Sequence, residues 1–274
     1  MADRKAVWRP SPFLAASAGL HGIALATLLA SPGSWRLAVA AVVGNHLAIG
    51  TTAVLPRCGW LGPNITRLPV RSGRAVVGLT FDDGPDPDVT PAVLNLLATA
   101  GARATFFCIG RRAEAHPDLM AAIRAGGHGV ENHTYTHPNG FAFRGPGGMT
   151  REILEAQDAI ERSGVGRPSL FRAPAGMQNP WLSVVLANAG LSLVSWTRRG
   201  YDTVSRHGDR VAARLGRGLG AGDILLMHDG SSALTAKGRP VVLEALPRLL
   251  DEMGKKRLRS EPLHAVLETS TDGA

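Results

Sequence analysis

Two long apolar runs begin the chain, and shorter apolar runs separated by amphipathic segments follow them. The long runs cover residues 13–30 and 37–55. Continuous short apolar runs, which are typical of buried parallel strands, cover residues 75–80, 104–109, 129–132, 170–172, 191–196 and 224–227. Helical patterns cover residues 90–100, 112–125, 150–162, 180–189, 206–219 and 240–253, and Thr90 before Pro91 predicts the N-cap of the first. The alternation predicts an α/β domain over residues 71–274, with a parallel sheet that is open or closed into a barrel.

Each long run is close to the ~20 residues that an α-helix needs to cross the hydrocarbon core of a membrane. Both runs are rich in Ala and Gly, and they contain His21, Asn45 and His46, so membrane insertion is only weakly favourable. Two helices packed on a soluble domain are the alternative. A cleavable signal peptide is disfavoured, because Leu28 would occupy the −3 position and a second apolar run follows. We expect residues 1–60 to form a membrane-associated helical hairpin.

Basic residues flank this hairpin on both sides, whereas the linker between its helices contains only Arg36. The flanking basic residues are Arg4, Lys5, Arg9, Arg57, Arg67, Arg71 and Arg74. Because Lys and Arg favour the cytoplasmic side, this distribution predicts that both ends of the hairpin lie in the cytoplasm. The expected location is therefore the bacterial inner membrane, with the α/β domain on its cytoplasmic face.

The composition restricts the kinds of site that this chain can build. Cys58 and Cys108 are the only cysteines, too few for a disulfide framework or for a zinc site made of thiolates. Any metal must therefore be bound by His and carboxylate side chains. The formal net charge of +8 suits an anionic partner without identifying it, and we expect no nucleic-acid partner.

Side chains capable of metal binding follow two of the predicted strands. Asp82 and Asp83 end the first strand in the sequence Thr-Phe-Asp-Asp-Gly-Pro, and two buried carboxylates are costly unless they are paired or bound to metal. A plain turn is the alternative. His133 and His137 are four residues apart and can face one ion if the segment coils. An aspartate and two histidines make a three-ligand site with positions left for water.

Three further segments contain candidates for acid–base chemistry. Arg172 follows a strand and can orient a carboxylate, with a surface salt bridge as the alternative. His228 directly follows a buried strand and is a candidate general acid, and an ion pair with Asp202 would raise its pKa. A buried structural histidine and a solvated loop aspartate are the alternatives for these two residues.

Taken together and in this order, the five segments resemble the NodB-homology polysaccharide deacetylases, carbohydrate esterase family four, from about residue 71 to the C-terminus. The resemblance implies a distorted (β/α) barrel. It also implies that Asp83, His133 and His137 bind a divalent metal, usually zinc, with cobalt, nickel and manganese as alternatives.

By the same resemblance, Asp82 is the catalytic base held by Arg172, and His228 is the general acid tuned by Asp202. The remaining implied roles are the backbone N–H of an oxyanion site and the walls of the substrate pocket, assigned to Ala175, Leu226, Tyr135 and Trp196. The chain departs from the family pattern at Ala175, where many relatives have Tyr, and at Thr203, where Trp is usual.

The resemblance implies a metal-dependent hydrolase that removes an N-acetyl or other small N-acyl group from an amino sugar, in a polysaccharide or a lipid-linked glycan. Its position at a cytoplasmic membrane face favours a glycolipid substrate. A deformylase of a lipid-linked formamido sugar, a periplasmic peptidoglycan deacetylase and a catalytically inactive glycan-binding or scaffold barrel are the alternatives.

Overall fold

A computed structural model describes residues 8–70 and 75–271 of the chain. Two antiparallel helices, α1 (Pro12–Ala30) and α2 (Trp35–Ala53), form a hairpin around a short 3₁₀ turn at Pro32–Ser34. Ser11 caps α1 by accepting a hydrogen bond from the backbone N–H of Leu14 at 3.2 Å. The predicted hairpin is therefore present as a structural unit.

The open end of the hairpin, formed by the start of α1 and the end of α2, contacts the α/β domain. The Trp8 indole N–H donates to the Ser183 hydroxyl, and the backbone N–H of Gln178 donates to the carbonyl of Ala53. At the tip, Leu29 and Leu37 are more than 70% exposed. Large apolar side chains on an outer surface point to a membrane or another apolar partner.

Within residues 8–70 and 75–271, α1 alone is long and apolar enough to cross a membrane. Helix α2 has the same length but contains Asn45 and His46, and a hydrogen bond from Asn45 to Ser17 joins the two helices. One helix rather than two thus has the length and composition of a membrane span. Of the basic residues that flank the hairpin, Arg4, Lys5, Arg71 and Arg74 lie outside the described residues.

The α/β domain is built on a parallel sheet whose strand order is β5-β4-β3-β2-β1-β7-β6, with β8 pairing with the start of β1. Its strands are β1 (Val76–Asp82), β2 (Ala104–Cys108), β3 (Gly129–Asn132), β4 (Leu170–Phe171), β5 (Ser192–Leu193), β6 (Arg198–Arg199), β7 (Ile224–His228) and β8 (Arg259–Ser260). Among the described residues the edge strands β5 and β6 do not pair with each other, so the sheet is a distorted half-barrel. The predicted fold class is confirmed.

Helices connect successive strands and cover the sheet. They are α3 (Thr90–Thr99), α4 (Gly110–Ala115), α5 (Pro117–Ala125), α6 (Pro146–Arg162), α7 (Leu182–Ala189), α8 (Gly208–Gly216), α9 (Val242–Lys255) and α10 (Leu263–Thr271). The structure divides the predicted helix 112–125 at His116, because Pro117 has no N–H with which to continue α4. The predicted N-cap at Thr90 is wrong. Its hydroxyl accepts from the backbone N–H of Asp86 and donates to Asp229.

The buried apolar residues form three clusters, two of which lie on opposite faces of the sheet. The larger lies between the sheet and the outer helices, and the smaller fills the inside of the half-barrel around Phe107, Trp196 and Leu226. Burial on both faces explains why strands β1, β2 and β7 are apolar without alternation. Because all strands are parallel, their C-terminal ends meet at one end of the domain, where the predicted chemical residues also lie.

Candidate metal centre and active site

The side chains at the C-terminal ends of the central strands meet at one point. Asp82 is the last residue of β1 and is paired in register with His228, the last residue of β7. His133 directly follows β3, and Arg172 directly follows β4. Parallel pairing therefore converts residues that are far apart in sequence into neighbours.

Asp83, His133 and His137 each offer one ligand atom, and these three atoms lie within 4.8 Å of one another. Asp83 Oδ1 is 3.2 Å from the Nε2 atoms of both His133 and His137. Donors bound about 2.0–2.2 Å from one ion with tetrahedral angles lie roughly 3.3 Å apart, so the spacing fits a single cation. One carboxylate oxygen and two imidazole nitrogens also match the preference of zinc and similar divalent metals.

The loop after β3 bends so that both histidines face Asp83. Thr134 and His137 have φ values of 66° and 54°, in the left-handed region that such residues seldom occupy. The Asn132 side chain accepts from the backbone N–H of Thr134, and the Thr134 hydroxyl accepts from the backbone N–H of His137. These bonds hold the coil that the four-residue spacing of the histidines requires.

Glu152 holds the same loop from outside. This buried carboxylate on α6 accepts hydrogen bonds from the backbone N–H groups of Tyr135 and Thr136, at 3.1 and 2.8 Å, and from the Thr136 hydroxyl at 2.7 Å. Charged acceptors on backbone donors form strong hydrogen bonds. Glu152 therefore supports the histidine loop without reaching the metal donors.

The hydrogen bonding of His133 fixes which of its nitrogens can bind a cation. Its Nδ1 lies 2.8 Å from the carbonyl oxygen of Arg172, and a carbonyl only accepts, so Nδ1 carries the hydrogen. Nε2 is then the metal-binding atom, on the side of Asp83. Burial raises the pKa of Asp83, but the hydrogen bond and charge of His133 outweigh it, so the pKa lies well below its usual range. Asp83 is therefore ionised, as a metal ligand must be.

Asp82 has a different environment from its neighbour. Its Oδ1 accepts from the Arg172 guanidinium at 2.6 Å, while its Oδ2 is 3.9 Å from His133 Nε2. Arg172 also donates to the Thr80 hydroxyl and to the carbonyl of Ser195, at 2.8 and 3.1 Å. One oxygen of Asp82 is thus engaged by the guanidinium, and the other is left on the side of the metal donors.

Arg172 is completely buried, with its guanidinium 4.0 Å from the centre of the Phe107 ring. Burial lowers its pKa, against the opposing charge and hydrogen bond of Asp82. Breaking such a buried pair leaves one charge uncompensated, which costs about 3–5 kcal/mol. The alternative of a surface salt bridge is therefore excluded for this residue.

His228 lies on β7, the strand that pairs with β1, and its side chain is bound by Asp202. Asp202 accepts from the backbone N–H of His228 at 2.7 Å through Oδ2, and its Oδ1 lies 2.9 Å from His228 Nδ1. Burial lowers the pKa of His228, but the hydrogen bond and charge of Asp202 outweigh it, so the pKa is raised. The imidazolium form, which can donate a proton, is therefore favoured.

One cavity of about 180 Å³ is lined by Asp82, Asp83, His133, His137 and His228. Ala175, Trp196 and Leu226, which the resemblance assigns to the substrate pocket, contribute to its wall. Ala175 has a φ of 54° and is the second residue of the 3₁₀ turn Pro174–Gly176, so the turn itself supplies no acceptor for its N–H. An N–H of this kind can bind a developing oxyanion.

The structure corrects one predicted pocket residue and adds others. Tyr135 does not line the cavity, because its hydroxyl donates to Glu114 on α4 at 2.7 Å. Arg199 and Thr203 do line it. Sequence reasoning missed Arg199 because it follows another arginine in an unremarkable polar segment. It missed Glu152 because one acid on an amphipathic helix is usually solvated.

The α/β domain is similar in sequence to known proteins. A family model for polysaccharide deacetylases matches residues 70–194. A chitooligosaccharide deacetylase from Bradyrhizobium sp. (strain ANU 289) is 35% identical over 200 residues, which cover 70% of this chain and 90% of that protein. A peptidoglycan-N-acetylglucosamine deacetylase from Bacillus cereus is 32% identical over 192 residues, covering 69% of this chain and 87% of that protein.

Solved structures show the same architecture. A family 4 carbohydrate esterase from Streptomyces lividans, in complex with acetate, is 38% identical and superposes with a TM-score of 0.62, covering 68% of this chain and 91% of that chain. The peptidoglycan deacetylase PdaC from Bacillus subtilis is 24% identical with a TM-score of 0.64, covering 74% of this chain and 95% of that chain. At that identity the second likeness concerns the fold alone.

Proposed function

The chain belongs to the polysaccharide deacetylase family, and from that premise we propose that it hydrolyses the acetamide of N-acetylglucosamine units in a glycan. The observation that carries the proposal is the arrangement of two aspartates at the end of β1. Asp83 joins two histidines in a three-donor cluster, while Asp82 is held by Arg172 and remains beside the cluster. The family relatives named above support the amino-sugar substrate.

Asp83, His133 and His137 would hold a divalent metal, for which we propose zinc. When bound, the metal supplies a Lewis acid that lowers the pKa of water and stabilises negative charge on the amide oxygen. Two imidazoles and one carboxylate leave room for water and substrate, which is the ligand number of catalytic zinc sites. Ligand chemistry supports zinc over the harder cations, and cobalt, nickel and manganese are the alternatives.

The other residues of the cavity supply acid–base chemistry. Asp82 accepts the proton of the attacking water through the oxygen that Arg172 does not engage. The backbone N–H of Ala175 binds the oxyanion as the carbonyl carbon becomes tetrahedral. His228, which Asp202 holds at 2.9 Å, donates a proton to the leaving nitrogen. The C–N bond then breaks to give acetate and the free amine, and Leu226 and Trp196 form the wall beside the acetyl methyl group.

Acetate release from an N-acetylchitooligosaccharide by the purified full chain tests this function. We expect turnover to stop after treatment with a chelator and to return when zinc is added. Asp82→Asn should lower kcat about 10²–10⁴-fold, the usual contribution of a general base. Asp118→Asn, at an exposed position in the first turn of α5, is the matched control and should leave kcat unchanged.

The metal content of the Asp82→Asn protein separates the two aspartates. We expect this variant to bind zinc with the stoichiometry of the unchanged chain, whereas Asp83→Ala should bind none. Full turnover by Asp83→Ala would contradict the assignment of the metal donors. Full turnover by Asp82→Asn would contradict the assignment of the base.

We further propose that the hairpin anchors the enzyme in the bacterial inner membrane with the α/β domain on the cytoplasmic face. The apolar α1 and the basic residues on both flanks support this arrangement. A reporter that is active only in the cytoplasm should be active when it is fused to the C-terminus. Activity of a reporter that works only outside the cytoplasm would contradict the proposed side.

A further inference from the structure

A second cavity, of about 480 Å³, adjoins the active-site cavity. Ala175, Trp196 and Arg199 line both cavities, so the two are separated by single side chains. The far wall of the second cavity is formed by Val54 and Arg57, the first and fourth residues after α2. A molecule bound at the catalytic centre can therefore continue along this cavity to the open end of the hairpin.

The Arg199 side chain forms no ion pair or hydrogen bond with any residue in 8–70 and 75–271. Its Nε is buried without an acceptor, and its guanidinium lies 5.6 and 5.1 Å from the ring centres of Trp196 and Tyr201. The preceding residue, Arg198, is fully engaged, since it binds Asp223 and the carbonyls of Arg217 and Gly218. A half-buried guanidinium kept in place by aromatic rings lacks the anion that such a group normally binds.

Arg57 adds a second guanidinium to the same cavity. It is exposed, and within the described part of the chain its side chain makes one hydrogen bond, to the carbonyl of Thr197 at 3.3 Å, and no ion pair. None of the described residues that line this cavity is Asp or Glu. Two guanidinium groups without a carboxylate favour an anion, and phosphate oxygens match their fork of N–H donors.

The cavity also opens beside apolar surface. Val54 and Leu55, at the end of α2, are 54% and 49% exposed. The position of this segment is fixed, because the Ser195 hydroxyl donates to the carbonyl of Pro56 and the backbone N–H of Gln178 donates to that of Ala53. The order along the surface is thus catalytic centre, two guanidinium groups, and then exposed apolar side chains that lead to the hairpin.

From this order we propose that Arg199 and Arg57 form an anion subsite for the phosphate or diphosphate that joins an N-acetyl amino sugar to a lipid. The sugar occupies the catalytic cavity, the phosphate group binds both guanidinium groups, and the lipid chain lies along the hairpin. The inference rests on the proposed deacetylase function and names its substrate class. A sugar nucleotide offers the same diphosphate without the apolar chain, so the test includes both.

Three substrates distinguish the parts of the proposal in assays of the full chain. They are N-acetylglucosamine diphosphoryl-farnesol, UDP-N-acetylglucosamine and uncharged tri-N-acetylchitotriose. Arg199→Gln should raise the KM for the farnesyl substrate about tenfold or more, as loss of a charge-assisted pair would. Arg57→Gln should raise it several-fold. For chitotriose, Arg57→Gln should stay within about twofold of the unchanged chain, and Arg199→Gln, which also changes the wall of the catalytic cavity, should lose clearly less than it loses on the farnesyl substrate. Arg248→Gln, an exposed control on α9, should change the turnover of neither substrate.

The outcomes separate this inference from the deacetylase proposal. Equal losses on chitotriose and on the farnesyl substrate would overturn the subsite, since Arg199 would then serve the cavity as a whole. Equal kcat/KM for the nucleotide and farnesyl substrates would contradict the proposal that the substrate carries a lipid chain. Failure to deacetylate any of the three would count against the proposed function instead.

Direct binding provides a measurement that needs no turnover. Inorganic pyrophosphate is titrated calorimetrically into the full chain after its metal has been removed with a chelator, so that chelation contributes nothing. We expect binding that weakens about tenfold or more in Arg199→Gln and is unchanged in Arg248→Gln. Equal binding by all three proteins, or binding by none, would overturn the subsite even if the chain is a deacetylase.

Discussion

At the scale of single residues, the pair Asp202 and His228 determines over which pH range the proposed acid can work. Burial favours neutral imidazole, and the Asp202 carboxylate reverses this preference and raises the pKa of His228. A general acid is active below its pKa, so the raised value extends activity towards higher pH. Asp202 therefore acts on the reaction only through His228, as a positioning residue.

Asp202→Asn should move the alkaline limb of the kcat/KM profile to lower pH. The amide can still accept one hydrogen bond, but it lacks the charge that favours the imidazolium, so the pKa of His228 falls. A pH–rate profile of the full chain measures the shift. Asp209→Asn, at an exposed position in the first turn of α8, should leave the profile unchanged. An unmoved alkaline limb in Asp202→Asn would show that another group is the acid.

The sequence indicated those residues whose chemistry is unusual in their local setting. Two adjacent aspartates after an apolar strand and a histidine directly after another strand are costly to bury, which is why Asp82, Asp83 and His228 could be predicted. Arg199 could not, because its lack of an ionic partner is a property of the folded surroundings. The role of Tyr135 was misjudged, since adjacency to His133 does not show on which side of the loop a side chain lies.

At the scale of elements, α6 and the loop after β3 act together. Glu152 on α6 accepts three hydrogen bonds from Tyr135 and Thr136, between the two histidine ligands. The left-handed conformations of Thr134 and His137 are strained unless their surroundings hold them. The metal affinity should therefore depend on a helix that contributes no metal donor.

Glu152→Gln should weaken zinc binding about 10–100-fold, the usual effect of losing an outer partner of a metal ligand. The amide retains one acceptor but has neither the charge nor the second oxygen needed for three donors. A competition titration with a chromophoric chelator measures the affinity. Glu155→Gln, on the exposed side of the same helix, should bind zinc like the unchanged chain. Equal affinity in the Glu152 variant would show that the loop holds its shape alone.

Glu131 on β3 gives a prediction for stability. Its Oε2 accepts from the backbone N–H groups of Ser169 and Leu170, which fixes the start of β4, and its Oε1 is 3.9 Å from His264 Nδ1 on α10. Burial, assisted by the charge of Glu268, outweighs these hydrogen bonds and raises its pKa from 4.5 to about 8. The folded state therefore retains a proton that the unfolded chain releases above pH 4.5.

Because the folded state binds the extra proton between these two values, this group makes stability fall as the pH rises from about 4.5 to 8. Glu131→Gln keeps the shape and an acceptor but removes the titration. Urea unfolding should thus show the variant gaining stability over the unchanged chain between pH 5 and pH 8, by about 1 kcal/mol or more. The exposed control Glu155→Gln should give no such trend. A constant difference across this range would mean that Glu131 is ionised in both states.

The strands that could be predicted are those whose run of buried residues is long enough to be recognised in the sequence. Strands β1, β2 and β7 are mostly apolar, and they and β3 were placed within two residues of their ends. Strands β6 and β8 have two residues each, and Arg198–Arg199 has no apolar residue by which to recognise a strand. Such short strands exist because the pairing partner, here β7 or β1, is already in place.

At the scale of the whole molecule, the hairpin and the active site belong to one surface. The chain leaves α2 at Ala53 and immediately forms the wall of the cavity that adjoins the catalytic centre. If α1 lies in a bilayer, the catalytic cavity lies near the membrane surface, where the anionic headgroups are. The two apolar runs predicted the hairpin, but only the folded domain shows that its open end meets the site.

Ile23→Arg should release the protein from membranes. Ile23 is 70% exposed on α1, and replacing a large apolar residue with Arg near the centre of a membrane helix costs about 3 kcal/mol in insertion. The unchanged full chain should sediment with membranes and be extracted by detergent but not by high salt. Leu154→Arg places the same charge on an exposed apolar position of α6 and should leave the protein in the membrane fraction. Because α1 is the one described helix that is apolar enough to span a bilayer, a single charge there should outweigh the contribution of α2. Release of the unchanged chain by salt alone would mean that basic residues, rather than the hairpin, hold it to the lipid surface.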